Sequence, residues 1–421
     1  MVSCVQRTRR GSRFPQHRPA VRGIMFEPSG VLPPKVAAAR PRVSIHRLTT
    51  YEPAAVDRAL HAVLAPLGGM SAFVAPGVRV VLKPSLLMPS SPERAICTHP
   101  EIIRAVARLA REAGAALVEA TDSPGMGTAT RCARRLGLGD GDLLTVKDAG
   151  EGTDVAPPGA SFHRVRLIAR LLDADLVINL PKAKTHGQMV MTAAVKNSFG
   201  AVVGMEKAQW HFRAGRNPED FARLLVHIHG LVAPRLSILD AVVGMEGNGP
   251  SGGDPRSLGF LLASADAHAL DAVLADVWGL APHQVFTLAV ARDLGLIPSF
   301  GEIEIIGAPL DDLRPRPAWR LARPAALRGF GGPVWLSALL ERLMTVRPEI
   351  DRGACIACGE CVRVCAAHAI ALNPDGAVPG PPVAIDREQC IACFCCQEMC
   401  PEGAIRVSAG LAARLLGLGT R

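Results

Sequence analysis

Two fold classes are predicted within this one chain: an α/β domain with a mostly parallel sheet flanked by helices, and after it a small α+β module. The first follows from an alternation of strand-like and helix-like segments that begins near residue 43. The second follows from cysteine placement, because nine of the twelve cysteines fall within residues 355–400, eight of them as two copies of one pattern. A 421-residue chain suggests two or three domains and is long enough to bury a sizeable core. That core is aliphatic, since hydrophobic residues make up 49% but include one tyrosine.

The elements are expected in this order. Residues 43–48 read as a strand and 54–67 as an amphipathic helix. A buried strand at 78–83 leads to a helix at 100–112. A strand at 116–120 precedes a helix at 128–136. Shorter strand candidates lie at 143–147 and 163–167. The most apolar strand is 176–180. A helix at 218–232 and a strand at 236–239 follow. A strand at 258–263, helices at 267–278 and 285–294, and a last strand at 303–306 close the α/β pattern. Before the helix at 100–112, Thr98 and Glu101 suggest a capping box with Pro100 in the first turn.

The expected domains are a disordered basic arm at 1–42, the α/β domain at 43–307, a linker with a bridging helix at 308–347, the cysteine module at 348–408 and a tail at 409–421. The bridging helix should span 334–344, and 411–418 is a shorter cap. Net charge is +9, but residues 1–42 carry nine Lys or Arg against the single acid Glu27. The body is therefore balanced and gives no case for nucleic-acid binding. Arg9-Arg10 lacks the apolar stretch of an export signal, and Met25 is an alternative start. No segment reaches the ~18 apolar residues of a transmembrane span. The scattered remaining cysteines suggest no disulfide framework, which suits a reducing cytoplasm.

The module's first copy is Cys355, Cys358, Cys361 and Cys365; the second is Cys390, Cys393, Cys396 and Cys400, followed by Pro401. This is the spacing of bacterial two-cluster ferredoxins, in which the fourth cysteine of each run serves the other cluster. Cys355, Cys358, Cys361 and Cys400 should hold one [4Fe–4S] cluster. Cys390, Cys393, Cys396 and Cys365 should hold a second. Zinc is the competing reading, but its sites usually pair separated C-x2-4-C units. The copies repeat with a period of 35 residues, so Cys396 matches Cys361 while Cys395 matches Glu360. Cys395 is expected to be a spare, packed thiol.

In open α/β sheets ligands sit at the carboxyl ends of strands. Lys83, Asp122, the run Asn179 to His186, and Asp240 through Glu246 and Asn248 to Gly253 follow predicted strands. Only seven of the 47 basic residues are lysines, yet Lys83, Lys182, Lys184, Lys196 and Lys207 fall at or near these segments. An ammonium is a compact charge with a tunable pKa, which arginine cannot supply. Lys83, Lys182, Lys196, Asn197, Glu246 and Asn248 are candidate substrate-binding residues. His186, Lys184 and Asp122 are candidate catalytic groups, His186 as acid or base. Asp122 could instead cap a turn, and the Gly-rich run 247–253 could be a flexible loop.

Together Lys83-Pro84, Asp122 to Gly125, Asn179 to Lys182, Thr185-His186, Lys196-Asn197 with Gly200, and Glu246 to Pro250 resemble a bacterial and archaeal family named domain of unknown function 362. Its members often carry a C-terminal two-cluster ferredoxin module. Ser85 stands where the family often has asparagine. The resemblance implies architecture and no specific reaction. The expected function is iron–sulfur electron transfer, by two [4Fe–4S] clusters, to a small anionic substrate or redox partner protein. The alternative is a non-enzymatic carrier or assembly factor whose α/β domain docks a partner.

Overall fold

A computed structural model of the chain describes residues 40–139, 141, 143–156, 164–204, 206–214, 217–297, 299–322, 347–373 and 382–408. The expected arm, bridging helix and C-terminal cap lie outside the described residues, save for the arm's last three.

The α/β part runs β1 (Arg42–Arg47), α1 (Pro53–Leu64), β2 (Arg79–Pro84), α2 (Pro100–Glu112), β3 (Leu117–Thr121), α3 (Ala129–Arg135) and β4 (Thr145–Lys147). A hairpin, β5 (Gly152–Val155) and β6 (Val165–Ile168), stands apart from the main sheet. Then come α4 (Ala169–Leu172), β7 (Leu176–Leu180), β8 (Lys182–His186), β9 (Val190–Thr192), α5 (Ala194–Asn197), α6 (Glu206–Ala214) and α7 (Pro218–Val232). The series closes with β10 (Leu236–Glu246), β11 (Asp254–Ser264), α8 (Ala267–Val277), α9 (Phe286–Asp293) and β12 (Glu304–Gly307).

These strands form one sheet in the order β12-β1-β11-β10-β7-β2-β3-β4, with β8 beside β10 and β9 beside β8. Antiparallel pairing is confined to β1–β11, β10–β11 and β8–β9, so the sheet is mostly parallel. Side chains alternate through it. Val80 and Leu82 pack with α1 and α2 on one face, while Val81 joins the core under α7 and α8 on the other. A strand covered on both faces reads as an unbroken apolar run, which is why β7, Leu-Val-Ile-Asn-Leu, stood out in the sequence. Ile178 is wholly buried, and truncating it to alanine should cost about 2–5 kcal/mol.

The cap of α2 differs from the expected box. His99 is the N-cap, its Nδ1 accepting from Glu101 N at 3.3 Å. Thr98 is buried and donates instead to Leu180 O at 2.6 Å, tying β7 to the segment after β2. Burial made Thr98 worth more as a strand tie than as a cap.

The module contains β13 (Arg347–Ile350), β14 (Ile370–Leu372), β15 (Val383–Ile385) and β16 (Ile405–Ser408), with short helices at Glu360–Val364 and Cys395–Glu398. β13 pairs with β16 and β14 with β15, both antiparallel. Ile350 opposes Ile405, and Ile370 opposes Ile385. Under the 35-residue repeat these two pairs interchange. The first copy's opening strand therefore pairs with the second copy's closing strand, and the reverse. The backbone repeats too: Ala357 and Ala392 take φ 56° and 54°, Gly359 and Phe394 76° and 60°, His368 and Gly403 51° and 62°. Left-handed φ at Ala and Phe is costly, and such strain gathers at ligand-binding loops.

Candidate functional site

The cysteine sets separate in space. One cavity is walled by Cys355, Cys358, Cys361 and Cys400, with Ile350, Val383 and Ile405. Another is walled by Cys365, Cys390, Cys393 and Cys396, and is also touched by Cys395. Crossed strand pairing delivers each run's last cysteine to the other copy. Ala369 N donates to Cys365 Sγ at 3.3 Å and Ala404 N to Cys400 Sγ at 3.2 Å, the N–H···S bonds that suit a charged sulfur. Four thiols around an apolar cavity, with amide donors to sulfur, are a donor set that fits a [4Fe–4S] cubane. Among the described residues no three His, Cys, Asp or Glu side chains group closely enough to hold a single metal ion.

The carboxyl edge of the sheet gathers the α/β candidates, but not into one site. Lys83, at the end of β2, is wholly buried, lies 3.1 Å from Asp122 Oδ1 and donates to Pro84 O. Asp122, just past β3, also accepts from Leu86 N at 2.7 Å and Ser123 N at 2.8 Å. Gly200 packs against this pair so closely that a Cβ there would strike both partners. Lys182 opens β8, lies 2.8 Å from Asp240 Oδ2 and donates to Tyr51 Oη at 2.8 Å. Tyr51 also donates to Asp240 and stacks on His99 at 3.5 Å. Both lysines are pushed down by burial and partly restored by their carboxylates. Their charge is spent inside the fold, and neither lines the cavity described below. Glu246 is clamped by Arg256 and Arg320 at 2.8 and 2.7 Å, and Asn248 meets the module through its carbonyl. Residues 247–253 close the β10–β11 hairpin, with Gly249 against Thr185.

Lys184, Lys196, Asn197 and Asp122 do meet, in a cavity of about 100 Å³ between the sheet edge and the module. Lys184 Nζ donates to Ile96 O at 2.6 Å, and burial lowers it to about 8. Lys196 is 9% exposed and also lowered by burial, yet its Nζ makes no hydrogen bond among the described residues. It lies 5.8 Å from the Phe199 ring. Lys207 of α6 donates to Ser123 O. Leu87, Phe199 and Met399 supply apolar wall. Thr192 Oγ1 is buried there without a hydrogen-bond partner.

The module's contribution to the cavity is Val364, Cys395, Glu398 and Met399. Glu398 Oε1 lies 2.9 Å from His186 Nε2, close but poorly aligned for a hydrogen bond. His186 Nδ1 accepts from Gln188 N and Met189 N, both at 3.1 Å, so a neutral ring carries its proton on Nε2, toward Glu398. Burial lowers His186. Burial alone would raise Glu398, but His186, His211 and Lys196 outweigh it and hold the carboxyl well below its usual range. His186 is therefore one residue removed from the cavity, reaching it through Glu398.

Glu398, Thr192 and His211 were not singled out by sequence reasoning. Only Glu398 left a trace: the repeat places it opposite Arg363, an inversion of charge between the third and fourth cysteines of the two runs. His211 sits on α6, an element the pattern did not indicate, and burial lowers it to about 4. The module is held against the sheet by further bonds, Arg94 to Pro401 O at 2.9 Å and Gln397 to Asn248 O at 3.0 Å.

Comparison with known proteins places these features in context. The family model described as Domain of unknown function (DUF362) matches residues 80–276, and a 4Fe-4S dicluster domain model matches 354–404. The Thylakoid-associated protein sll1697 of Synechocystis is 44% identical over 265 residues, which cover 62% of this chain and 82% of that protein. Among solved structures, a Thermotoga maritima protein aligns at 14% identity and TM-score 0.34, covering 51% of this chain and 56% of its own. The lactate racemase apoprotein of Thermoanaerobacterium thermosaccharolyticum aligns at 11% identity and TM-score 0.36, covering 61% and 60%. The chain thus spans less than two thirds of either solved chain.

Proposed function

Since this chain belongs to the DUF362 family and is an iron–sulfur protein with a 4Fe–4S dicluster domain, we propose that it binds two [4Fe–4S] clusters and passes electrons to a small organic anion held between sheet and module. The bound clusters would supply one-electron reduction. Cys355, Cys358, Cys361 and Cys400 hold one, and Cys365, Cys390, Cys393 and Cys396 the other. The observation that carries the reading is the inner cavity, which has ammonium groups from the sheet side and a cysteine-bearing helix on the other.

Lys196 binds the anion. A buried ammonium that makes no hydrogen bond is costly, and an anion at Nζ relieves that cost. Lys184 and Lys207 add positive potential, while Phe199, Leu87 and Met399 exclude water and suit an organic body. Glu398 stays a carboxylate at the cavity face, balanced by Lys196 and with His186 Nε2 behind it. Asp122 positions the loop after β3 and is not a proton donor, since its oxygens are taken by Lys83 and two amides. The described cysteines are all free, as a reducing compartment such as the cytoplasm would keep them.

The test is anaerobic purification with iron and sulfide counts, reduced-state electron paramagnetic resonance and mass spectrometry of any co-purified acid. Reduced protein is then mixed with a panel of organic carboxylates. Reoxidation by some members, lost in Lys196→Met, supports the reading. A reduced protein that no carboxylate reoxidises overturns it.

A second reading is a carrier or assembly factor docking a partner protein. It is favoured by Ile356, 65% exposed beside Cys355 and Cys358, and by the thylakoid association in the relative's name. Among the described residues no helix is long and apolar enough to cross a membrane.

A further inference from the structure

The inner cavity reaches the surface at one end. Among its described lining residues Gly204 alone is exposed; Leu87, Gly125, Gly200, Lys207 and Ala208 are half-buried, and the others are buried. Outside that end lies an open crevice of about 510 Å³, with Met126 and Arg131 on the α/β side and Cys358 and Glu360 on the module side. Two described residues line both spaces, Gly125 and Gly204, and neither has a side chain.

The backbone around this junction is pinned. Ser123 N donates to Gly200 O at 3.0 Å, and Ser123 Oγ accepts from Gly204 N at 2.9 Å, so the loop after β3 is tied to the segment before α6. Gly125 N donates to Leu87 O at 2.9 Å and fixes the other edge of that loop. Gly204 takes φ 58°, and a Cβ there would meet nothing within 4 Å among the described residues. A Cβ at Gly125 would instead overlap Met399 Sδ. One edge of the junction is therefore open, and the other is filled by the end of a methionine side chain. Just inside, Lys207 Nζ donates to Ser123 O and sets an ammonium at the rim.

We propose that the slot at Gly125 and Gly204 is the route by which a small organic acid enters and leaves the inner cavity, and that Met399 sets the largest acid admitted. The inference rests on the reading of the inner cavity as an anion site. Glycine leaves room where any side chain would narrow the slot. Methionine is unbranched and turns about three bonds, so it yields to a slender molecule and resists a bulky one. An acid on this route passes Cys358 of the first cysteine set before it meets Lys207 and Lys196.

The experiment uses the full chain purified anaerobically with its clusters, and takes the Cys395 thiol, which lines the inner cavity, as the reporter of arrival. Wild type, Met399→Ala and Gly204→Asn are treated with methyl and benzyl methanethiosulfonate, two uncharged reagents of different size. Mass spectrometry of the peptides times the modification, and iron is counted in each protein. Asparagine tolerates the left-handed φ of Gly204. That variant lies outside the cysteine module, so it keeps the test in force should Met399→Ala lose iron. Met399→Ala should speed the benzyl reagent at Cys395 severalfold and the methyl reagent less. Gly204→Asn should slow both. Cys132, wholly buried and lining neither space, should stay as it is in the wild type. Rates at Cys395 that neither substitution moves overturn the proposal. So does an acceleration shared by Cys132, which would mean arrival by unfolding. Excess benzoate should slow modification of Cys395 in the wild type. Rates that follow the substitutions but ignore benzoate would overturn the anion-site reading alone and leave the route standing.

Discussion

Glu398 Oε1 of the module stands 2.9 Å from His186 Nε2 of the sheet, and both side chains are almost wholly buried. The contact joins the two parts of the chain at the floor of the inner cavity. Because burial keeps His186 neutral, the pair is worth less than a full ion pair. Glu398→Gln should cost about 1–3 kcal/mol, the range for a weakened buried polar contact. Combining it with His186→Gln should cost less than the two single changes added. Urea unfolding of the four proteins measures the coupling, and strict additivity would show that the contact carries no energy.

Lysines of similar burial should respond in opposite ways. Lys83→Met strands Asp122 without its cation, at about 3–5 kcal/mol, the usual cost of breaking a buried pair. Lys196→Met removes a buried charge that makes no hydrogen bond among the described residues, and its nearby carboxylate, Glu398, keeps His186 beside it. It should leave thermal stability unchanged or raised, while abolishing protection of the protein by bound carboxylate. Differential scanning calorimetry with and without benzoate separates the two. A Lys196→Met variant as unstable as Lys83→Met would mean that Lys196 is a structural cation.

The crossed strand pairs make the fourth cysteines act at a distance. Ile350 pairs with Ile405, five residues after Cys400. Cys400→Ser should therefore eliminate the same paramagnetic signal as Cys355→Ser, and Cys365→Ser the same signal as Cys390→Ser. Loss of signals by sequence proximity instead, Cys365 with Cys355, would refute the crossed arrangement.

Much of this was legible because it depends on local pattern. β7 was visible from five consecutive buried positions, and the cysteine repeat from spacing alone. What stayed hidden depends on pairing at long range. β8 is a strand of Lys, Thr and His residues, polar by composition, and it is buried because Asp240, Ile96 O and Glu398 satisfy it from three distant segments. No period in the sequence marks a strand of that kind. For the same reason the lysine cluster was legible as a cluster but not as sorted between structural pairs and the cavity. Lys83 touches a carboxylate at 3.1 Å, whereas Lys196 feels Glu398 without an ion-pair contact.

Asp271 offers a test of the scaffold beneath the cavity. It lies on α8, wholly buried, and accepts from Ala194 N at 2.7 Å and Val195 N at 3.1 Å, so it caps the short helix that carries Lys196 and Asn197. Burial raises its pKa to about 7, against the pull of those two amides. In the unfolded chain its pKa is the ordinary 3.8. Between these values the folded state binds the extra proton, so the contribution is fully present below pH 3.8 and is lost as pH rises through about 7. Asp271→Asn cannot lose that proton. Its amide cannot accept from both backbone donors, but that deficit does not vary with pH. The stability of wild type minus variant should therefore fall by roughly 2 kcal/mol as pH rises from 5.5 to 8, about half of the roughly 4 kcal/mol that the whole shift carries. Urea unfolding across that range reads the difference, and a flat difference would show that Asp271 is ionised in the folded protein throughout.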